Sequence, residues 1–276
     1  MDDTFGDPTM IMGLHGVLDP HPWVTRAIAQ GDNGDDRNDE TEGGLEEDVF
    51  SLAVKRAEAY GWSTTTLGPD GELDGARWGH NDAGGDWTAD GRVREAAWLQ
   101  IAVAEGLRGQ RLPVLPVATV LGDILRRVGA FRLTGLHALL PTRLAPGTTT
   151  FALVDAADWF AMTDPHPDAP TELTVTVAGR GHGLSALAPR VGDHVRESAF
   201  GLTTPVTALP PDHDPGALAH PLTGQVQTRG MRPAMAFRCR TREWAPDVAA
   251  WTAEVFLDAL RAAGVTEPVL LTVATR

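Results

Sequence analysis

One cysteine, one lysine and one tyrosine stand among 276 residues, and the scarcity of the first two narrows what the chain can be. Cys239 alone cannot close a disulfide within the chain or build a thiolate zinc cage, so a reducing cytoplasm is the expected compartment. Lys55 is the one lysine among 23 basic residues, which face 37 acidic ones for a net charge of −14. That balance disfavours the broad cationic surface that grips nucleic acid. No apolar run approaches the roughly 20 residues needed to span a bilayer, and no membrane insertion is expected. The opening MDDTFGDP carries acids where a secretory leader carries cations.

Catalytic signatures are also missing. None of Ser51, Ser63, Ser185 and Ser198 lies in Gly-x-Ser-x-Gly, and His-Glu-x-x-His does not occur. The sequence gives no reason to expect a cofactor.

What is present is enough apolar material, 42% of residues, to fill a core. Short echoes suggest how it is organised. Asp19-Pro20-His21-Pro22 recurs as Asp164-Pro165-His166-Pro167, Ala96-Ala97-Trp98 as Ala249-Ala250-Trp251, and Pro113-Val114-Leu115 as Pro268-Val269-Leu270, in the same order along the chain. They predict an internal duplication: two related α+β halves, residues 1–144 and 145–276, each a small sheet covered by helices. Ala96, Leu99, Val103 and Leu107 have helical spacing and predict a helix over 92–108 to match one carrying Ala249, Ala253, Phe256 and Leu260. Helices are further expected at 46–60, closed by Gly61, and from Pro116 onward through Val117, Val120, Ile124 and Val128. Strands are expected near 10–17, 131–140, 149–154, 171–178, 234–240 and 269–273, with a hairpin over 62–79. The last helix and its flanking strands read as one βαβ crossover. Gly31 to Asp48 holds nine acids against one arginine and reads as a solvated acidic loop.

Three groups of residues invite a chemical reading. If the halves pack about a pseudo-twofold axis, Asp19, His21, Asp164 and His166 offer two imidazoles and two carboxylates to a metal; two stiff structural turns explain the same residues, and no metal is expected. Val175 to Leu187 enters the glycine-rich Gly179-Arg180-Gly181-His182-Gly183, where Arg180 and His182 are candidate anion contacts. The dinucleotide and phosphate-loop fingerprints both fail there, and Pro189 argues against a following helix. Arg238, Arg240 and Arg242 alternate with Phe237, Cys239 and Thr241, so a strand would present three guanidinium groups on one face, for an anion or for the chain's own acids. Cys239 would then point inward and be inert. The eight tryptophans suggest core packing between halves or a partner surface. The leading expectation is a non-catalytic cytoplasmic binding or adaptor protein with a protein partner. Its rival is an enzyme acting on a small anionic substrate in a cleft between the halves.

Overall fold

A computed structural model describes residues 9–31, 48–63, 77–103, 111–144, 150–162, 170–181, 183–198, 207–209, 218 and 227–275. Its elements follow in the order β1 (Thr9–Pro20), α1 (Pro22–Gly31), α2 (Val49–Ala59), β2 (Gly79–Gly84), β3 (Arg94–Ala102), α3 (Val114–Val128) and β4 (Gly129–Leu140). Then come α4 (Thr150–Ala161), β5 (Thr171–Gly179), α5 (Ala188–Ser198), β6 (Thr207–Leu209), β7 (Arg232–Thr241), α6 (Pro246–Ala262) and β8 (Val269–Thr275). The fold is mixed α+β and comprises, among the described residues, these six helices and a single sheet of eight strands. No helix among the described residues is long and apolar enough to cross a membrane.

The sheet runs β2-β3-β1-β4-β8-β5-β7-β6, every neighbouring pair antiparallel. Counted from one edge the first four strands read 2-3-1-4, and counted from the other edge the last four read 6-7-5-8. Each set has the β-α-β-β-α-β connectivity of a split βαβ unit. The expected crossover at the carboxyl end is β7, α6 and β8, split because β5 lies between its strands. The sets meet where β4 pairs with β8, from Gly135 opposite Ala274 to Leu140 opposite Val269.

Two faces with different chemistry follow from the period-two alternation of strands. Met10, Met12 and Leu14 of β1 join Ala97, Leu99 and Ile101 of β3 and Leu136 and Ala138 of β4 in one apolar cluster with α2, α3 and α6. Ile11, Trp98, Leu139 and Ala236 are buried too, outside that cluster and on the other face. Helix α6 is the centre of the helical layer and is buried from Val248 through Leu260. Its Glu254 pairs with Arg111 and accepts the Leu115 backbone N–H at 3.1 Å, placing a carboxylate at the start of α3. Asp48 caps α2 by accepting the Ser51 N–H at 2.8 Å while Ser51 Oγ accepts the Asp48 N–H, and Gly61, at φ +68°, takes up the left-handed turn beyond the helix.

The echoes that suggested duplication do not fall on equivalent elements. Trp98 lies on strand β3 and Trp251 on helix α6; Pro113-Val114-Leu115 enters α3, whereas Pro268-Val269-Leu270 enters β8. The helix expected over 92–108 is therefore a strand as far as Ala102, and residues 104–110 lie outside the described set. Burial on both faces of a sheet asks for a continuous apolar run, and Ala-Ala-Trp-Leu-Gln-Ile-Ala supplies one that also fits helical spacing. The reverse error occurs at 149–154: residues from Thr150 form α4, with Leu153, Ala157 and Phe160 buried at helical intervals. Pro189 does not prevent a helix either, because it occupies the first turn of α5, where its missing N–H has no intrahelical partner to lose.

Strand β7 alternates as the sequence suggests, with Phe237, Cys239 and Thr241 buried. Burial pushes the Cys239 thiol up to about 12, leaving almost no thiolate at pH 8. A thiol-exchange reagent such as DTNB is expected to release no chromophore from the native protein at pH 8 and one equivalent per chain after unfolding in urea. Rapid native labelling would show that β7 is not packed as described.

Candidate metal centre

The second face of the sheet carries polar groups where a core would be apolar. His15 of β1, Glu95 of β3 and His137 of β4 are 0%, 1% and 4% exposed, and one ligand atom from each lies within 4.8 Å of the others. His15 Nε2 and His137 Nδ1 are 2.7 Å apart, so a single proton sits between them. His137 Nε2 lies 3.3 Å, and His15 Nε2 3.9 Å, from Glu95 Oε1. Two donors each about 2.1 Å from one zinc-like ion, at tetrahedral angles, are about 3.4 Å apart. The 3.3 Å between His137 Nε2 and Glu95 Oε1 fits such a pair, and the 3.9 Å between His15 Nε2 and Glu95 Oε1 is longer than it.

Two register shifts build it. Between β1 and β3 the pairing passes from Leu14 opposite Ala97 to His15 opposite Glu95, so Ala96 is one residue too many on β3. Without that bulge Glu95 would share a face with Ala97 and Leu99 and point into the helical core; the bulge turns it onto the histidine face. The extra carbonyl, Ala96 O, accepts the Trp87 indole N–H at 2.9 Å. A second shift, between β1 and β4 after His15, leaves Thr134 as the extra residue, and its hydroxyl donates to His15 O at 3.2 Å.

Between these shifts the tripeptide Gly13-Leu14-His15 pairs antiparallel with Gly135-Leu136-His137, each glycine opposite the other strand's histidine. A Cβ on Gly13 would overlap both Glu95 Oε1 and the His137 ring, so glycine is what allows the two side chains to meet across β1. Burial holds His15 down at about 4; burial, with His15 beside it, holds His137 at about 3. Both imidazoles are neutral at pH 7, the form that donates a lone pair to a metal. His15 Nδ1, the ring nitrogen that does not face the other two residues, is buried without a hydrogen-bond partner, a cost of about 1–3 kcal/mol.

The residues that the sequence singled out lie elsewhere. Asp19 and His21 are exposed at the end of β1; Asp164, His166 and His182 fall outside the described residues. Arg180 is exposed and donates to the Arg229 carbonyl at 3.0 Å. Arg240 pairs with Glu172 across β5, its Nε donating at 2.9 Å, so the chain's own acid answers it. Arg238 is half-buried opposite Thr174, and Arg242 lies beyond β7. Since β5 pairs Gly179 with Arg232 and Glu172 with Arg240, Arg180 and Arg240 stand about 26 Å apart along the strand and do not share one anion site. A groove of about 530 Å³ between α2 and α3 contains Lys55, Arg56, Arg126 and Arg127, but Asp123 binds both Arg56 and Arg126 within it.

His15, Glu95 and His137 were not singled out from the sequence. The signal was the Gly-Leu-His tripeptide, which occurs twice, each time inside an apolar strand. Comparison with known proteins finds no family model, no curated relative and no solved structure that matches.

Proposed function

We propose that this chain is a metal-binding protein whose working centre is His15, Glu95 and His137. The observation that carries the reading is the convergence of two neutral imidazoles and a carboxylate in a buried cradle over Gly13. With no thiolate, the donor set suits zinc, iron(II), cobalt(II) or nickel(II) better than copper(I), and the imidazoles disfavour calcium and magnesium.

Thermal unfolding of the metal-free protein with each of these ions tests it. At a hundredfold excess over Kd, binding to the native state contributes about 2.7 kcal/mol. In a chain of this size that raises Tm by roughly 5–10 °C. Because a protein of charge −14 also attracts cations at its surface, the shift must be absent in Glu95→Gln and in His137→Gln. No shift with any of the ions, or the same shift in both variants, would rule the centre out.

We also infer that the two sets of four strands descend from one duplicated split βαβ unit, with residues 1–144 and 145–276 as its copies. The mirrored strand order supports this, although the sequence echoes fall on unlike elements. A protein-contacting role is the second reading. Trp159 and Met162, three positions apart at the end of α4, are 68% and 83% exposed, as a partner surface would be. A reducing compartment is the proposed location, on the single buried cysteine.

A further inference from the structure

We propose that Trp87 and Trp244 are positioning residues for His15, Glu95 and His137: each indole N–H secures one of the two bulges that turn Glu95 and His137 onto the face of His15. This rests on the metal reading above. Simple alternation would send both ligands the wrong way. By period two Glu95 belongs with Ala97 and Leu99, and His137 with Leu133, all three of those apolar residues lying in the helical core cluster. The extra residue Ala96 reverses the first, and the extra residue Thr134 the second.

A bulge disrupts the ladder and can leave a carbonyl unpaired, and tryptophan supplies a donor that does not also accept. Trp87, in the connection before β3, donates its Nε1–H to Ala96 O at 2.9 Å. Trp244, in the connection between β7 and α6, donates its own to Leu133 O at 3.1 Å, on the peptide that leads into Thr134. Both rings are half-buried against the helical core cluster, which restrains them from swinging away. Neighbouring groups reinforce each point. The Asp86 N–H donates to Glu95 O at 3.0 Å, Arg94 is held by both Asp86 and Asp90, and a Cβ on Gly85 would overlap Ala96 O, so glycine lets this connection lie against the bulge. On the other side the Thr134 hydroxyl donates to His15 O, and Thr134 O accepts the Thr275 hydroxyl at 3.1 Å. Groups that orient the ligands of a metal typically cost about 10–100-fold in affinity when removed.

Trp87→Phe and Trp244→Phe keep an aromatic ring and delete the donor. Calorimetric titration of the full chain with zinc is expected to show at least about tenfold weaker affinity in each. Cobalt(II) loading should give displaced visible ligand-field bands, because the ligand set itself is disturbed. Trp251→Phe, whose ring packs on Phe160 within the helical layer, should bind both ions as the wild type does. A tryptophan that merely stabilises the fold would lower the urea midpoint and leave zinc affinity and cobalt bands unmoved. That result in either variant overturns its role while the metal centre stands. The wild-type chain gives a reading that no folding failure can spoil: bound zinc should shift the indole N–H resonances of Trp87 and Trp244 and leave that of exposed Trp159 in place. Zinc binding without those shifts also overturns the inference. If the wild type takes up neither ion, the inference falls together with the reading beneath it.

Discussion

Gly13→Val is expected to abolish metal uptake and to destabilise the metal-free fold by about 1–3 kcal/mol, the usual cost of forcing extra atoms into a packed interior. A Cβ at this position would overlap Glu95 Oε1 and the His137 ring, and valine adds two methyl groups beyond it. Neither neighbour can retreat easily. Glu95 is held by the bulge at Ala96, and His137 is in hydrogen-bonding distance of His15 on the far side. The new side chain therefore separates the carboxylate from the imidazole. Urea unfolding of apo protein gives the stability change, and calorimetric titration with zinc gives the loss of affinity, expected to exceed tenfold. Gly91→Ala is a poor control because its φ of +73° strains any other residue; Gly183→Ala, which meets open space, should leave metal uptake unchanged. Unaltered zinc affinity in Gly13→Val would mean that His137 and Glu95 do not act together.

Trp251→Ala should cost about 3–5 kcal/mol, while Trp251→Phe should cost far less. The indole is fully buried on α6 and packs on Phe160 of α4 with ring centroids 5.5 Å apart, so truncation opens a cavity between two helices. Its Nε1 is also buried without a hydrogen-bond partner. Phenylalanine removes that unpaired donor, a relief of about 1–3 kcal/mol that offsets much of the lost packing. Denaturant midpoints at unchanged m-value measure both variants. Equal losses would show that Nε1 is satisfied in solution.

The contrast between α6 and β3 explains what the sequence could disclose about the fold. Helix α6 has Pro246 near its start and Gly264, at φ +90°, just beyond its end, so its limits are legible without tertiary information. The same holds for α2, where Asp48 and Ser51 cap one end and Gly61 terminates the other. Strand β3 has no such punctuation. Its apolar run satisfies both periods, and only its burial between β1 and β2 selects the strand. The site was hidden for a related reason. By simple alternation Glu95 belongs with Ala97 and Leu99, and the bulge that reverses it depends on pairing with β1 and on Trp87 taking the freed carbonyl. Of the arginines of β7 that were conspicuous in the sequence, Arg240 is answered locally by Glu172, whereas Arg238 Nε is buried without a hydrogen-bond partner. At Arg240 the charge that stood out had an ordinary partner, and the histidines stayed hidden among apolar neighbours.

The outermost strands constrain how copies of this molecule can meet. At one margin β2 has six residues, Gly-His-Asn-Asp-Ala-Gly, and at the other β6 has only three. Glycine, aspartate and brevity all discourage a neighbouring backbone from adding to the ladder. Among the described residues both margins disfavour growth of the sheet from molecule to molecule, which leaves side chains on its surfaces as the route for self-association.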